Sequence, residues 1–234
     1  WIHVVLPWVL QLHHRWHSFI SALKAERDNN SDISIVEATR IHLPLLEILL
    51  KEYSNDRRCA KLSDAILSIT DWETRHYWRR LTGGHVATVP YYLPEEYVRE
   101  IQSVHAEKEN ICVSFMGVFK IERGSFLADS LDNFTRLVRE LKDEMPDWSF
   151  KVTGELSDES FTFPTRIEPT RFIKSPYPLL ARSRAVAILS PYGMGFKTKI
   201  LEAILAGCYV LIPLQLMKRQ PEAIKPYCIE VDLK

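Results

Sequence analysis

Residues 190–213, SPYGMGFKTKILEAILAGCYVLIP, combine residue types that could hold a phosphorylated ligand. Gly193 and Gly195 permit a tight turn and a close approach of the backbone to a ligand. A helix that starts just behind them would offer unpaired backbone N–H groups and a positive dipole end to a phosphate. Glu202, about one turn into that helix, could accept both hydroxyls of a ribose. The stretch therefore predicts a site that holds a nucleotide by its diphosphate and its ribose.

The expected helix begins near Phe196 or Lys197 and ends at Gly207, which would be its C′ glycine. Lys197 and Lys199 would add positive charge at its start. A second interpretation stays open, in which the lysines form a solvated surface and Lys199 pairs with Glu202 at i,i+3 spacing. One face of the helix is apolar and is expected to pack on a sheet: Ile200, Ala203, Ile204 and Gly207.

The elements around this stretch alternate between strands and helices. Short apolar runs predict strands at 64–70, 85–90, 111–118, 148–154, 184–190 and 208–213. Helices are predicted at 71–81, with Asp71 as its cap, at 130–145 and at 177–183. The pattern predicts an α/β protein with mainly parallel sheets, whose ligands gather at the carboxyl ends of the strands.

Composition shifts along the chain suggest three regions. We expect a partial Rossmann-like domain at 1–90, a charged linker with a short helix at 91–109, and a second Rossmann-like domain at 110–234. The sequence has no initiator Met and ends behind a strand-like CIEVDLK, so a fragment of a longer polypeptide is expected.

Bulk composition restricts the class of partner and the compartment. The 234 residues contain 30 Lys plus Arg and 30 Asp plus Glu, so whole-chain charge gives no argument for a nucleic-acid partner. The four cysteines form no C-x-x-C pair and no cluster with metal-site spacing, which predicts free thiols in the cytoplasm.

The stretch from Gly193 to Val210 resembles a pattern common in the donor-binding domain of GT-B fold glycosyltransferases of the family 4 type, G-x-G-x-K-x-K-x-L-E-A-x-x-A-G-x-x-V. VSFMGVFKIERG (113–124) looks like the first strand and loop of that domain, and MPDWSFKVTGE (145–155) looks like a later strand. Residues 59–94 look like the last units of the N-terminal domain. The resemblance covers roughly residues 58–213.

This resemblance implies an enzyme that moves a sugar from a UDP- or GDP-linked donor to a glycan, lipid-linked or small-molecule acceptor. Its active cleft would lie between the two domains, configuration would be retained, and neither a metal nor a cofactor would be needed. The donor site would consist of Gly117, Gly193, Gly195, Phe196, Lys197 and Glu202. Contact with a membrane surface through parts outside this chain is a further expectation.

Three further residues receive catalytic roles from the same resemblance. Lys120 and Arg123 would face the donor phosphates and stabilise the leaving diphosphate. The alternative is that both residues belong to an ordinary charged surface loop. His14 would lie near the reacting sugar, and its alternative is an ordinary surface or core histidine. Met194 stands where many family members have the first of two glutamates eight residues apart.

Two other functions stay open. A GT-B-like nucleotide-sugar epimerase would share the donor site, and a non-catalytic GT-B-like module of a glycan-assembly protein would keep the fold and lose the sugar contacts. A dinucleotide-binding Rossmann domain is disfavoured, because the glycines lie far from the first strand and no G-x-G-x-x-G occurs.

Overall fold

The structure is a computed structural model, which describes residues 50–51, 53–115, 126–154, 163, 166–190 and 197–233. The chain divides into two compact units, and the boundary between them in the sequence lies between Tyr91 and Tyr92. The predicted division at 1–90, 91–109 and 110–234 stays a prediction. No helix among the described residues is both long enough and apolar enough to cross a membrane.

The first unit contains two parallel strands and the helices that flank them. Helix α1 covers residues 53–62, and strand β1 (Ala65–Ser68) pairs in parallel with β2 (His85–Thr88). Between the strands, α2 (Asp71–Glu73) continues through a π-helical turn (Thr74–Trp78) into α3 (Arg79–Leu81). Among the described residues of this unit, Ala60, Tyr77 and Trp78 form a buried apolar cluster. Both strands predicted for this region are confirmed.

The predicted helix cap in this unit is wrong by one residue. Thr70, not Asp71, is the N-cap, and its hydroxyl accepts a hydrogen bond of 3.2 Å from the backbone N–H of Glu73. Thr70 has the extended backbone that a cap residue adopts, whereas Asp71 already lies in the first turn. From there Asp71 forms an ion pair of 2.7 Å with Arg75. Both residue types are good caps, so the sequence alone does not select between them.

The second unit is built on a six-stranded parallel sheet. Its strands are β3 (Glu109–Ser114), β4 (Ser149–Val152), β5 (Ile167–Pro169), β6 (Ser183–Ala187), β7 (Tyr209–Pro213) and β8 (Cys228–Val231). Their spatial order is β5-β4-β3-β6-β7-β8, and every neighbouring pair is parallel. This is the 3-2-1-4-5-6 order of the doubly wound Rossmann fold.

Helices cover both faces of this sheet. They are α4 (Glu95–Ser103), α5 (Phe126–Leu141), α6 (Tyr177–Arg182), α7 (Thr198–Leu205) and α8 (Leu214–Met217). Successive residues of β6 point to opposite faces, so Ala185 packs with the core of α5 while Val186 packs with α4, α6 and α7. The predicted α/β class with mainly parallel sheets is confirmed.

The short helix expected at 91–109 is present as α4. Its Ile101 is buried in the same core as Ile200 and Ala203 of α7. Strand β5 was not predicted, because it is only three residues long, lies at the edge of the sheet and contains an exposed glutamate and a proline.

Candidate functional site

Helix α7 carries the residues on which the predicted nucleotide site depends. It begins at Thr198, with Lys197 as its N-cap residue, one or two positions later than the sequence indicated. Of the predicted packing face, Ile200 and Ala203 are completely buried and Ile204 packs against the same core, whereas Gly207 is exposed because it lies beyond the last helical turn. The helix therefore lies on the sheet with its first turn at the carboxyl end of β6.

Gly207 ends α7 as predicted. Its φ of +76° is in the left-handed region, which favours glycine. The N–H of Gly207 donates to the carbonyl of Ile204, and that of Cys208 donates to the carbonyl of Ala203, both at 2.9 Å. These two bonds form a Schellman motif, which leads the chain directly into β7.

Strands β3 and β6 mark the point at which the strand order reverses. They are neighbours, with Ser114 opposite Ala187, yet the chain runs from β3 towards one edge of the sheet and from β6 towards the other. In open α/β sheets, ligands bind outside the carboxyl ends of the strands at such a point. The two segments of predicted donor-binding residues directly follow these two strands in sequence.

Most predicted site residues lie outside the described part of the chain. These are His14, Gly117, Lys120, Arg123, Gly193, Gly195 and Phe196, and also Met194. Lys197 and Glu202 are described. The proposed roles of all these residues stay predictions. The described part of the site consists of the ends of β3 and β6 and of helix α7.

Lys199 connects the first turn of α7 with the end of β3. Its Nζ lies 5.0 Å from the centre of the Phe115 ring and 3.5 Å from the Phe115 carbonyl oxygen. Burial lowers the pKa of Lys199, an effect that the nearby Glu202 carboxylate opposes. Lys199 is therefore not the fully solvated surface residue of the alternative interpretation. The sequence did not single out Phe115, because it falls inside the predicted strand 111–118, whereas the structure ends β3 one residue before it, at Ser114.

Glu202 is half-buried on the same helix. Burial raises the pKa of its carboxyl, while Lys199 and a hydrogen bond from the Thr198 hydroxyl act in the opposite direction. The bond to Thr198 directs the carboxylate towards the first turn of α7. Burial and, next, the charge of Glu202 raise the pKa of Tyr177 on α6. A partly desolvated carboxylate of this kind is well suited to accept hydrogen bonds from hydroxyl groups.

The cysteines of the described residues are free thiols, as predicted. Burial raises the pKa of Cys112 to about 12. Within the described ranges, no group of three His, Cys, Asp or Glu residues could hold a metal ion.

Solved structures share this architecture. A UDP-forming α,α-trehalose-phosphate synthase from Burkholderia xenovorans matches 80% of this chain and 55% of its own, with TM-score 0.53 and 11% identity. The GtfA/B complex matches 78% of this chain and 37% of its own, with TM-score 0.52 and 13% identity. A TarM variant from S. aureus, solved with fondaparinux, α-GlcNAc-glycerol and UDP, matches 70% of this chain and 32% of its own, with TM-score 0.50 and 12% identity.

These neighbours are GT-B glycosyltransferases. The chain has the GT-B fold. It spans about a third to just over half of the length of these neighbours. No protein-family model matches the sequence, and no curated protein is significantly similar to it.

The candidate site lies in the second unit. The second unit is the Rossmann-like sheet on which the resemblance placed the donor, and α7 follows β6 at its switch point. Lys199 and Glu202 are brought together there with Phe115.

Proposed function

We propose that this chain is the donor-binding part of a glycosyltransferase that moves a sugar from a nucleotide-diphosphate sugar to an acceptor hydroxyl. The observation that carries the proposal is the half-buried Glu202 on a helix that starts at the switch point between β3 and β6. A carboxylate in that place can accept both ribose hydroxyls while the diphosphate lies at the helix start.

The proposed diphosphate site surrounds the start of α7. Backbone N–H groups of Gly193, Gly195 and Phe196 and the charge of Lys197 would receive the phosphates, with Gly117 allowing a close approach from the other loop. Lys199 would add a second cation, because its Nζ already lies between the first turn of α7 and the end of β3.

Sugar transfer breaks the bond between the anomeric carbon and a diphosphate oxygen, and forms one between that carbon and the acceptor oxygen, which loses its proton. Negative charge develops on the leaving diphosphate. Lys120 and Arg123 would stabilise this charge, a role that preorganised cations fill without a metal ion. His14 would stand near the reacting sugar. Retention of configuration is part of the proposal and rests on the family resemblance.

The donor base is proposed to be uracil or guanine. Two neighbours support uracil, since one is named as UDP-forming and another was solved with UDP. The acceptor is proposed to be a glycan, a lipid-linked glycan or a small molecule, and the TarM variant was solved with fondaparinux. The compartment is proposed to be the cytoplasm, from the free cysteines.

Saturation-transfer NMR with UDP, GDP, CMP and NAD in parallel tests the donor site. We expect enhancement on the ribose protons of one nucleoside diphosphate, and its loss in Glu202→Gln. The matched control is Glu222→Gln, which neutralises an exposed surface glutamate that pairs with Lys225. Equal binding by both variants would contradict the ribose role.

Product analysis separates the proposed transferase from its alternatives. A transferase consumes the nucleotide sugar only with an acceptor, an epimerase converts it without one, and a non-catalytic module does neither. The assay uses the longest available form of the protein, because the chain spans only part of its structural neighbours.

A further inference from the structure

Lys108, the residue before β3, lies at the C-terminal ends of two helices. Its Nζ is 2.7 Å from the carbonyl oxygen of Ala206, the C-cap of α7, and 2.7 Å from that of Ser183, the C-cap of α6. A third carbonyl, that of Leu180, is 3.2 Å away. An ammonium group has three N–H donors, so it can satisfy all three carbonyls at once. It also places a positive charge at the negative ends of both helix dipoles.

Strand β3 contacts the other end of α7 as well. Phe115 directly follows β3, and Lys199 in the first turn of α7 lies over its ring. Helix α7 is therefore tied to the central strand at both ends, by Lys108 at its C-terminus and by Lys199 at its N-terminus.

Apolar packing holds one face of α7 to the sheet. The helix has eight residues, of which Ile200 and Ala203 are completely buried and Ile204 and Leu205 are partly buried in the same core. These contacts are non-directional and supply no hydrogen-bond partner to the carbonyl groups at the C-terminal end of the helix. The hydrogen bonds of Lys108 are directional and fix the helix along its axis.

We infer that Lys108 is a positioning residue for the nucleotide site at the opposite end of α7. It holds the helix along β3, so that Glu202 and the first turn keep their places at the switch point. The identity of the ligand rests on the proposed function, whereas the effect on the helix rests on the contacts of Lys108 alone.

The test compares Lys108→Met with Val138→Ala. Methionine retains a long unbranched side chain but removes every N–H donor. Val138 is buried on α5, in the core on the other face of the sheet, so its truncation lowers stability without touching α7. Hydrogen exchange of the backbone amides of α7 and of 206–208 is measured in both variants, together with the affinity for UDP and GDP.

In Lys108→Met we expect faster exchange in α7 and an affinity at least about tenfold weaker, which corresponds to the loss of one charge-assisted hydrogen bond between the displaced Glu202 and the ribose. The preference for UDP or GDP over its 2′,3′-dideoxy analogue should also shrink, because that preference reports the position of Glu202. Val138→Ala should change neither the exchange of α7 nor this preference.

Unchanged exchange in Lys108→Met, or an equal loss of ribose preference in Val138→Ala, would overturn the inference. If the unmodified chain binds no nucleoside diphosphate, the proposed function fails, and the exchange data alone decide the role of Lys108. If Lys108→Met does not fold, Lys108→Gln, which retains two N–H donors, is expected to show the same changes to a smaller degree.

Discussion

Replacing Gly207 by alanine should destabilise the second unit through the end of α7. The φ of +76° costs an L-residue about 1–2 kcal/mol, because its Cβ approaches the following carbonyl oxygen. The new Cβ would also lie 3.4 Å from Cε of Lys108, an ordinary van der Waals distance that adds little. We therefore expect a loss of about 1–2 kcal/mol in the free energy of unfolding, nearly all of it from the backbone.

The matched control is Gly83→Ala. A Cβ at Gly83 would meet nothing within 4 Å, and its φ is not in the left-handed region. Urea unfolding followed by tryptophan fluorescence measures both variants, with Trp148 reporting on the second unit. Equal stabilities of the two variants would refute the assignment of Gly207 as the left-handed end of α7. A loss well above the expected range would contradict the ordinary van der Waals distance between the new methyl group and Lys108.

Three other predictions follow from the same structure. Phe134→Ala should cost about 3–5 kcal/mol, because Phe134 is completely buried and packs edge-on against Phe150; a loss below about 1 kcal/mol in urea unfolding would contradict this core. As the pH increases from about 4.5, the melting temperature of Glu202→Gln should rise relative to that of the unmodified chain. The carboxyl pKa of Glu202 is raised in the folded state, so the unmodified chain loses stability as the buried group ionises. A difference in melting temperature that is the same at pH 4 and pH 8 would contradict the burial of Glu202. A thiol reagent at pH 8 should modify the exposed Cys59 quickly and Cys112 only upon unfolding, because burial raises the pKa of the Cys112 thiol to about 12; rapid modification of both in mass spectra would be inconsistent with the sheet.

The fold was largely predictable because its central strands are short apolar runs between helices. Ile111, Val186 and Val210 lie in such runs and are all buried, and Gly207 marked the end of α7. Strand β5 escaped prediction, since an edge strand of three residues needs little apolar sequence. The choice of Thr70 over Asp71 as a cap depends on one residue's backbone conformation, which composition does not determine.

The candidate site was predictable only in part. Gly193 to Glu202 form a local pattern that sequence reasoning can recognise, and β3 and β6 were both predicted as strands. Their adjacency at the switch point is a property of strand order, which the sequence does not display. Lys108 looks like one charge among many in AEKENICV, yet its carbonyl partners lie 72, 75 and 98 residues away. Contacts over such separations arise only in the folded sheet.

The central claim is that Glu202 binds the ribose hydroxyls of the donor, and a double-mutant-style cycle of four affinities tests it most directly. Calorimetry measures the binding of a nucleoside diphosphate and of its 2′,3′-dideoxy analogue, each to the unmodified chain and to Glu202→Gln. If Glu202 holds the ribose, removal of the hydroxyls should weaken binding to the unmodified chain at least about tenfold, a coupling of about 1.4 kcal/mol, and should hardly affect Glu202→Gln. An equal loss in both proteins, or no binding of UDP or GDP to the unmodified chain, would contradict the account.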